Sequence, residues 1–321
     1  MIIMRAAALV AALLCALPAA PTRAQDWPQR AVKFIVPLGP GAGADIGARL
    51  LADRLSARWN RPVVVENRPG ADGLVAIQAF VGANDDHTLL FGPSGAFTVH
   101  PFQYEKLPYT LADLLPIARV SNTIIAVAVP ASMKVGTLEE FVARARAEPG
   151  KLNAAVVPGI TEFTFDYFAK VAGLSIAKIP YRDIVQAATD LGEGRVQVMV
   201  ASYAILKAHA EAGRIKTLVV TGRQRAPILT QVPTAIEAGY PALELEGLVG
   251  LFGPRSMPRA LRERIGADVV AVAADPAIAA RLIGTAQIVN PGGAAEFSAA
   301  IEAQSAQVAA IAQALGIKAK Q

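Results

Sequence analysis

The chain has 321 residues, of which 53% are hydrophobic and 18% are charged, and its formal net charge is +5. The positive charge is spread along the chain without a basic run, so the composition gives no reason to expect nucleic-acid binding. Cys15 is the one cysteine. A chain processed beyond it would therefore have no disulfide and no thiol chemistry.

The N-terminus is typical of a secretory signal. Arg5 supplies the positive end, residues 6–16 form an apolar core too short to span a bilayer, and Thr22-Arg23-Ala24 offers small residues where a signal peptidase cuts. We expect residues 1–24 to be a signal peptide and the protein to be periplasmic. Losing Arg5 and Arg23 lowers the charge from +5 to +3.

The most informative segment comes next. Phe34 to Val36 predicts a buried strand, a loop poor in side chains from Gly39 to Ala44 leads to Asp45, and apolar residues then recur at helical spacing. Asp45 is predicted to cap that helix, and such a loop presents backbone N–H groups that suit an anion. The glycine spacing matches neither G-x-G-x-x-G nor a P-loop. A tight turn that binds nothing is the alternative.

Strand and helix patterns alternate in the rest of the chain. Strands are predicted at 63–66, 88–91, 153–157, 196–200 and 215–220, and long apolar runs at 117–129 and 247–252 are predicted to cross between domains. Helices are predicted at 74–83, from a capping box at Thr137 to 149, from Asp183 to 191, before Gly213, and at 258–274, 276–283 and 294–315. This order and length predict two α/β domains with ligands at the carboxyl ends of strands.

The sequence matches none of the common catalytic or metal-binding motifs. His87, His100 and His209 are too far apart in sequence to suggest a metal pair, and Asp85-Asp86 is a polar turn before a strand. Ser94 lacks the G-x-S-x-G spacing of a nucleophile elbow, although a fold-specific triad remains an alternative. We therefore expect no catalytic residue, no metal and no cofactor, and a protein that is not an enzyme.

Several blocks together give the chain a family resemblance. The most specific is Val-Glu-Asn-Arg-Pro-Gly-Ala at 65–71, and others are Trp27-Pro28, Leu107-Pro108-Tyr109, 149–153, Pro180-Tyr181, Val232-Pro233-Thr234 and 250–254. In this order they resemble the Bug/TctC family, the extracytoplasmic solute receptors of tripartite tricarboxylate transporters. The resemblance covers essentially the whole mature chain.

The resemblance implies an α/β, two-lobed type II periplasmic-binding-protein fold, in which each lobe is a mixed, mostly parallel sheet flanked by helices. Lobe 1 would be residues 25–123 with 247–321, and lobe 2 would be residues 124–246. The lobes would close on a small carboxylate, which the receptor would deliver to the membrane permease subunits of a tripartite transporter. We expect a monomer.

The resemblance also implies which residues bind the ligand. Candidates from lobe 1 are Gly39, Gly41, Ala42, Gly43, Asp45, Ser94, Gly95 and Ala96. Candidates from lobe 2 are Pro158, Gly159, Thr161, Phe163, Tyr181, Asp183 and Ser202. The loop 67–73 is expected to be structural.

Departures from the family pattern cluster in these loops, for example at Ala42, Asp183 and Ala201. One hypothesis is that Phe97, Phe163 and Phe165 adapt the cleft to an aromatic or more apolar acid; the alternative is that they are core residues. Two further functions stay open. A sensor would dock on a signalling partner instead of a permease, and an enzyme would use the same scaffold with Ser94 as a possible nucleophile.

Overall fold

A computed structural model describes residues 27–320, with the side chain of Ala96 left out. The predicted signal peptide lies outside these residues. Within them the strands are β1 (Val32–Val36), β2 (Val63–Asn67), β3 (Thr88–Pro93), β4 (Leu115–Thr123), β5 (Ile125–Pro130), β6 (Asn153–Val156), β7 (Ala177–Pro180), β8 (Val198–Ser202), β9 (Ile215–Val220), β10 (Gly247–Gly253) and β11 (Gln287–Gly292). The α-helices are α1 (Gly43–Trp59), α2 (Leu74–Ala83), α3 (Gly95–Gln103), α4 (Leu138–Ala147), α5 (Ile160–Val171), α6 (Ile184–Gly192), α7 (Tyr203–Glu211), α8 (Arg259–Ala273), α9 (Pro276–Gly284) and α10 (Ala294–Leu315).

The strands form two mixed sheets. The first has the order β11-β4-β10-β3-β1-β2 and the second has the order β7-β6-β8-β5-β9. The pairs within β1, β2 and β3 and within β6, β7 and β8 are parallel, and the pairs that involve β4, β5 or β10 are antiparallel. The predicted fold class, two mixed sheets flanked by helices, is confirmed. The sheets are not mostly parallel as expected, because four of the nine strand pairs in the described residues are parallel and five are antiparallel.

Alternating side chains give each sheet two buried faces. In β1, Phe34 packs with α1 and α8, whereas Ile35 packs on the opposite face with α2 and α10. In β5, Val127 faces α4 and α5, whereas Ala128 faces α6 and α7. Each sheet is therefore a complete three-layer unit with its own core.

The chain crosses between the sheets within the first predicted run, whereas the second run, 247–252, lies wholly in β10 of the first sheet and the return crossing comes just before it. The run 117–129 is split at Ile124, the single residue between β4 of the first sheet and β5 of the second. The segment before β10 returns the chain to the first sheet, and α10 also bridges the two halves by packing on α5. The lobe boundaries at 123/124 and 246/247 stay a prediction, which the sheet membership of the strands supports.

No helix of the described residues is long and apolar enough to cross a membrane.

Candidate functional site

Two pairs of helix N-termini approach each other across the two halves, α1 with α7 and α3 with α5, in a region that we call the interlobe cleft. A Cβ on Gly43, at the start of α1, would lie 3.8 Å from the Cβ of Ala204 in α7. A Cβ on Gly95, at the start of α3, would lie 2.8 Å from Cγ2 of Ile160 at the start of α5. The structure thus brings together loops that are far apart in sequence. The close approach at Gly95 leaves no room for a side chain without movement of Ile160.

The four helices that begin at the cleft share one property: none has a side-chain cap. Their N-cap residues are Ala42, Ser94, Gly159 and Ser202, and in the part of the chain that the structure describes none of these side chains accepts a hydrogen bond from the first turn. The first N–H groups of a helix have no intrahelical acceptor and carry the positive end of the helix dipole. One of them, the Tyr203 N–H of α7, donates to the Ile124 carbonyl (2.7 Å). The other first-turn N–H groups are donors of the kind that suits carboxylate oxygens.

Asp45 lies inside the first turn of α1, with 1% of its surface exposed. It was predicted to cap this helix; that prediction was wrong, because α1 begins at Gly43 and Ala42 is the N-cap. The carboxylate instead accepts hydrogen bonds from the Gly41 N–H (2.9 Å) and from Nδ2 of Asn67 (2.7 Å), and it pairs with Arg49 (3.0 Å).

Burial by itself would raise the pKa of Asp45. The hydrogen bonds from Arg49, Asn67 and the Gly41 N–H outweigh burial and hold the pKa below its ordinary value. Because both carboxylate oxygens already have donors, Asp45 fixes the shape of the loop from Gly39 to Gly43, which itself offers backbone groups. Gly41 has a φ of +86°, a conformation that favours glycine.

Ser94 is fully buried at the start of α3. Its hydroxyl donates to Oε1 of Gln304 (2.7 Å), and its N–H donates to the carbonyl of Leu248 (3.0 Å). An amide oxygen is not a general base, so this arrangement does not activate Ser94 as a nucleophile. Ser94 therefore joins α3 to α10 and β10. Ala96 follows in the first turn of α3.

In the second half of the chain, Pro158 is exposed and Gly159, with φ +138°, turns the chain into α5. Thr161 and Phe163, expected in a loop, lie in the first turn of that helix. Phe163 packs with Val99 and Ile311. Phe97 and Phe165 belong to two other hydrophobic clusters. The three phenylalanines are thus separate core residues, which favours the core alternative over an aromatic ligand pocket.

The remaining candidates form hydrogen bonds within the protein or lie at element ends. The Tyr181 hydroxyl donates to Oδ2 of Asp190 (2.7 Å), and burial together with this carboxylate raises the pKa of Tyr181 to about 12. Asp183 caps α6, as predicted, by accepting from the Val185 N–H (2.8 Å). Ser202 ends β8 directly before α7. As ligand-binding residues all of them stay predictions.

Two residues that the sequence reasoning passed over also lie at the cleft. Gln287 of β11 is 1% exposed, and its amide nitrogen donates to the Gly43 carbonyl while its oxygen accepts from Ser121. Asp72, in a loop expected to be structural, reaches Gly159 from the opposite side of the cleft. For Asp72, the sequence signal that could have predicted a role at the cleft was an acidic residue between two glycines, Gly70 and Gly73, in a loop after a strand.

Two other features involve none of the predicted ligand-binding residues directly. A cavity of about 670 Å³ at the crossing segments is lined by residues of both halves, such as Asn122, Arg223 and Glu246, and by Leu248 and Gln304, the hydrogen-bond partners of Ser94. Asp85, Asp86 and His87 offer side-chain atoms within 4.8 Å of one another. Both nitrogens of His87 already have partners, since Nδ1 bonds Asp86 (2.6 Å) and Nε2 accepts from the Gln29 N–H (3.1 Å).

The chain is similar to known proteins along most of its length. Residues 47–317 match the model of the TctC family, described as "Tripartite tricarboxylate transporter family receptor". A UPF0065 protein of Bordetella bronchiseptica is 30% identical over 97% of this chain and 93% of its own.

Solved structures of similar sequence have the same fold as this chain. A Rhodopseudomonas palustris protein, solved with adipate, is 27% identical with a TM-score of 0.81, and the match covers 91% of this chain and 99% of that one. The periplasmic binding protein BugD, 24% identical, has the same fold with a TM-score of 0.78 over 91% of this chain and 99% of its own.

Proposed function

The chain belongs to the Bug/TctC family of solute receptors, and from this premise we propose that it is a periplasmic receptor that captures a small carboxylate by closing its two lobes. It then delivers the acid to the membrane subunits of a tripartite transporter. The observation that carries the proposal is the approach of uncapped helix N-termini from the two halves, α1 to α7 and α3 to α5, between two separately packed sheets.

The chemistry of the cleft supports a carboxylate as the ligand. Helix N-termini stabilise negative charge through their N–H groups and dipoles, so an anion can be bound without a dedicated arginine. Loops poor in side chains, such as Gly39 to Gly43, let a ligand approach the backbone closely. The solved relative that was crystallised with adipate is a member of the same fold that takes a carboxylic acid.

The arrangement of the two halves supports closure around the ligand. Each sheet has its own core, Ile124 alone joins β4 to β5, and the returning segment packs in the second core as far as Leu245, two residues before β10. Rigid lobes on short connections move as bodies about the connecting segments. Closing would exclude water from the ligand and bring together the surface that a membrane partner recognises.

A thermal-shift screen of the purified mature chain tests the ligand class. The panel contains aliphatic dicarboxylates including adipate, hydroxy acids, amino acids, tricarboxylates and aromatic acids, each with its neutral amide as a matched control. A ligand present at 100 times its Kd adds about 2.7 kcal/mol to stability and raises Tm by several degrees. We expect a shift with at least one acid and none with its amide. Equal shifts from acid and amide, or none in the panel, would contradict the proposal.

Closure and delivery need separate measurements. Because the chain after residue 24 has no cysteine, spin labels can be placed on the exposed positions Gln78 and Arg182, one in each half. We expect the acid found in the screen to shorten the distance between the labels. Acid-dependent stimulation of uptake by cognate membrane subunits in proteoliposomes supports delivery, whereas stimulation of a sensor kinase would indicate the signalling alternative.

A further inference from the structure

Asp72 reaches across the interlobe cleft to the start of a helix in the other half. Both of its carboxylate oxygens lie 3.4 Å from the position that a Cβ on Gly159 would occupy. Gly159 is the N-cap residue of α5, a helix of 12 residues whose N-cap offers no side-chain acceptor to the N–H groups of the first turn. The structure therefore places a carboxylate of the protein next to a helix N-terminus that would otherwise attract a carboxylate of the ligand.

One of these oxygens lacks a hydrogen-bond donor. Within the described residues, Oδ2 of Asp72 is buried and has no partner. Nε2 of His100 is 3.6 Å away, too far for a hydrogen bond, and bonds the backbone carbonyl of Asp72 instead, at 3.0 Å. A buried acceptor without a donor is unfavourable. The Asp72 side chain as a whole is 24% exposed, so a small movement of the carboxylate would let a molecule in the cleft donate to it.

Side chains behind the loop hold Asp72 in this position. His100 is fully buried, and its second nitrogen, Nδ1, contacts the Tyr109 hydroxyl at 2.7 Å. Ala71 and Asp72 have positive φ angles of 46° and 50°, which glycine adopts more readily than either residue. Aspartate tolerates this conformation better than most residues, so the loop keeps a carboxylate where glycine would fit the backbone with less strain.

We propose that Asp72 is a specificity-determining residue, which makes this receptor select acids with one carboxylate and a hydroxyl or ammonium group at the other end over dicarboxylates. The proposal rests on the proposed function. The single ligand carboxylate binds at the first-half loop from Gly39 to Gly43. A second ligand carboxylate near α5 would meet the negative charge of Asp72, whereas a hydroxyl or ammonium group would donate to its free oxygen.

Calorimetric titration of two chemically matched series tests this proposal. The six-carbon series is hexanoate, 6-hydroxyhexanoate, 6-aminohexanoate and adipate, and the four-carbon series is butyrate, 4-hydroxybutyrate, 4-aminobutyrate and succinate. The proteins are the purified mature wild type, Asp72→Asn, Asp72→Gly and, as a matched control, Asp53→Asn, which removes a carboxylate from an exposed position of α1.

In the wild type and the Asp53→Asn control, we expect the hydroxy or amino acid of one series to bind at least about tenfold more tightly than the diacid of equal length. In Asp72→Asn the two affinities should come within about threefold, because the repulsion and the best acceptor are gone while the shape is kept. If Asp72→Asn does not fold, Asp72→Gly decides, since glycine suits the backbone at this position.

Two results would overturn the proposal and leave the proposed function standing: a wild type that binds the diacid as tightly as the matched hydroxy acid, or an Asp72 variant with an unchanged preference. Absence of binding by every acid, here and in the thermal screen, would instead overturn the proposed function itself.

Discussion

Helices that begin at the interlobe cleft differ from three of the helices that begin elsewhere. Of the other helices, α4, α6 and α9 each start at a residue whose side chain accepts a backbone hydrogen bond from the first turn; these residues are Thr137, Asp183 and Asp275. The helices α2, α8 and α10 start without a side-chain cap, at Gly73, Pro258 and Gly293. At the cleft, α1, α3, α5 and α7 start at Ala42, Ser94, Gly159 and Ser202 without such a bond.

The difference shows how one secondary structure serves two purposes. A side-chain cap is worth about 0.5 to 2 kcal/mol to a helix, so an uncapped start leaves stability unrealised. At the cleft the same N–H groups are left for another acceptor, and a bound carboxylate recovers the missing hydrogen bonds. Binding and stability thus draw on the same groups, as in other proteins whose functional sites are locally less stable.

The largest effect on stability is expected at Asp45, a buried residue whose carboxylate fixes the cleft loop from Gly39 to Gly43. Asp45→Ala removes the acceptor shared by Gly41, Asn67 and Arg49. It should lower the free energy of unfolding by about 3 kcal/mol, since charge-assisted hydrogen bonds of a buried carboxylate are lost. Urea unfolding measures this change. A loss below about 1 kcal/mol would show that the loop keeps its shape without Asp45.

The same residue predicts a pH dependence. The pKa of Asp45 is lower in the folded protein than its ordinary value. Its contribution to stability is therefore fully present above the unfolded pKa and is lost as the pH falls through the folded pKa. Between pH 6 and about pH 3 the wild type should lose more stability than Asp45→Asn. Parallel curves for the two proteins would assign the acid sensitivity to other carboxylates.

A capping side chain introduced at a cleft helix tests whether its free N–H groups serve the ligand. Ala42 has φ −64° and ψ 151°, an extended N-cap conformation that aspartate can adopt without strain. Ala42→Asp should raise the free energy of unfolding by about 0.5 to 1 kcal/mol and weaken carboxylate binding at least about tenfold, because its own carboxylate occupies the N–H groups. Ala42→Asn caps without the charge, so it should stabilise similarly and weaken binding less. Unchanged affinity in both variants would move the ligand away from α1.

Local sequence patterns predicted the scaffold better than the cleft. Helix α2, strand β9 and helix α10 have the predicted bounds, because long or strongly patterned segments decide their own structure. Strand β11 was missed, since its Asn290, Pro291 and Gly292 are poor strand formers and its pairing with β4 is long-range. Helix α3 was missed because it starts with glycine and contains Pro101.

The contact between Asp72 and Gly159 lay beyond any local pattern, because it depends on how the two halves meet. The backbone-rich loop from Gly39 to Gly43 was recognisable from its composition. Which side chains turn inward was not recognisable, as Asp45 and Phe163 show. The periodicity of apolar residues indicates which face of a helix or strand is buried. The direction of a single loop side chain depends instead on partners elsewhere in the chain.

The smallest expected effect is at Asp183, where it distinguishes a residue that only caps a helix from one that also binds the ligand. Asp183 was predicted to do both, and in the structure it accepts from Val185 as Asp275 accepts from Ala277, each at 2.8 Å. If capping is the whole role of Asp183, Asp183→Ala and Asp275→Ala should each cost about 1 kcal/mol in urea unfolding and leave carboxylate affinity unchanged. Asp275, at the start of α9, provides the matched control for a cap that does not bind ligand. An affinity change confined to Asp183→Ala would make Asp183 part of the cleft and would show that an outer cap also contributes to binding.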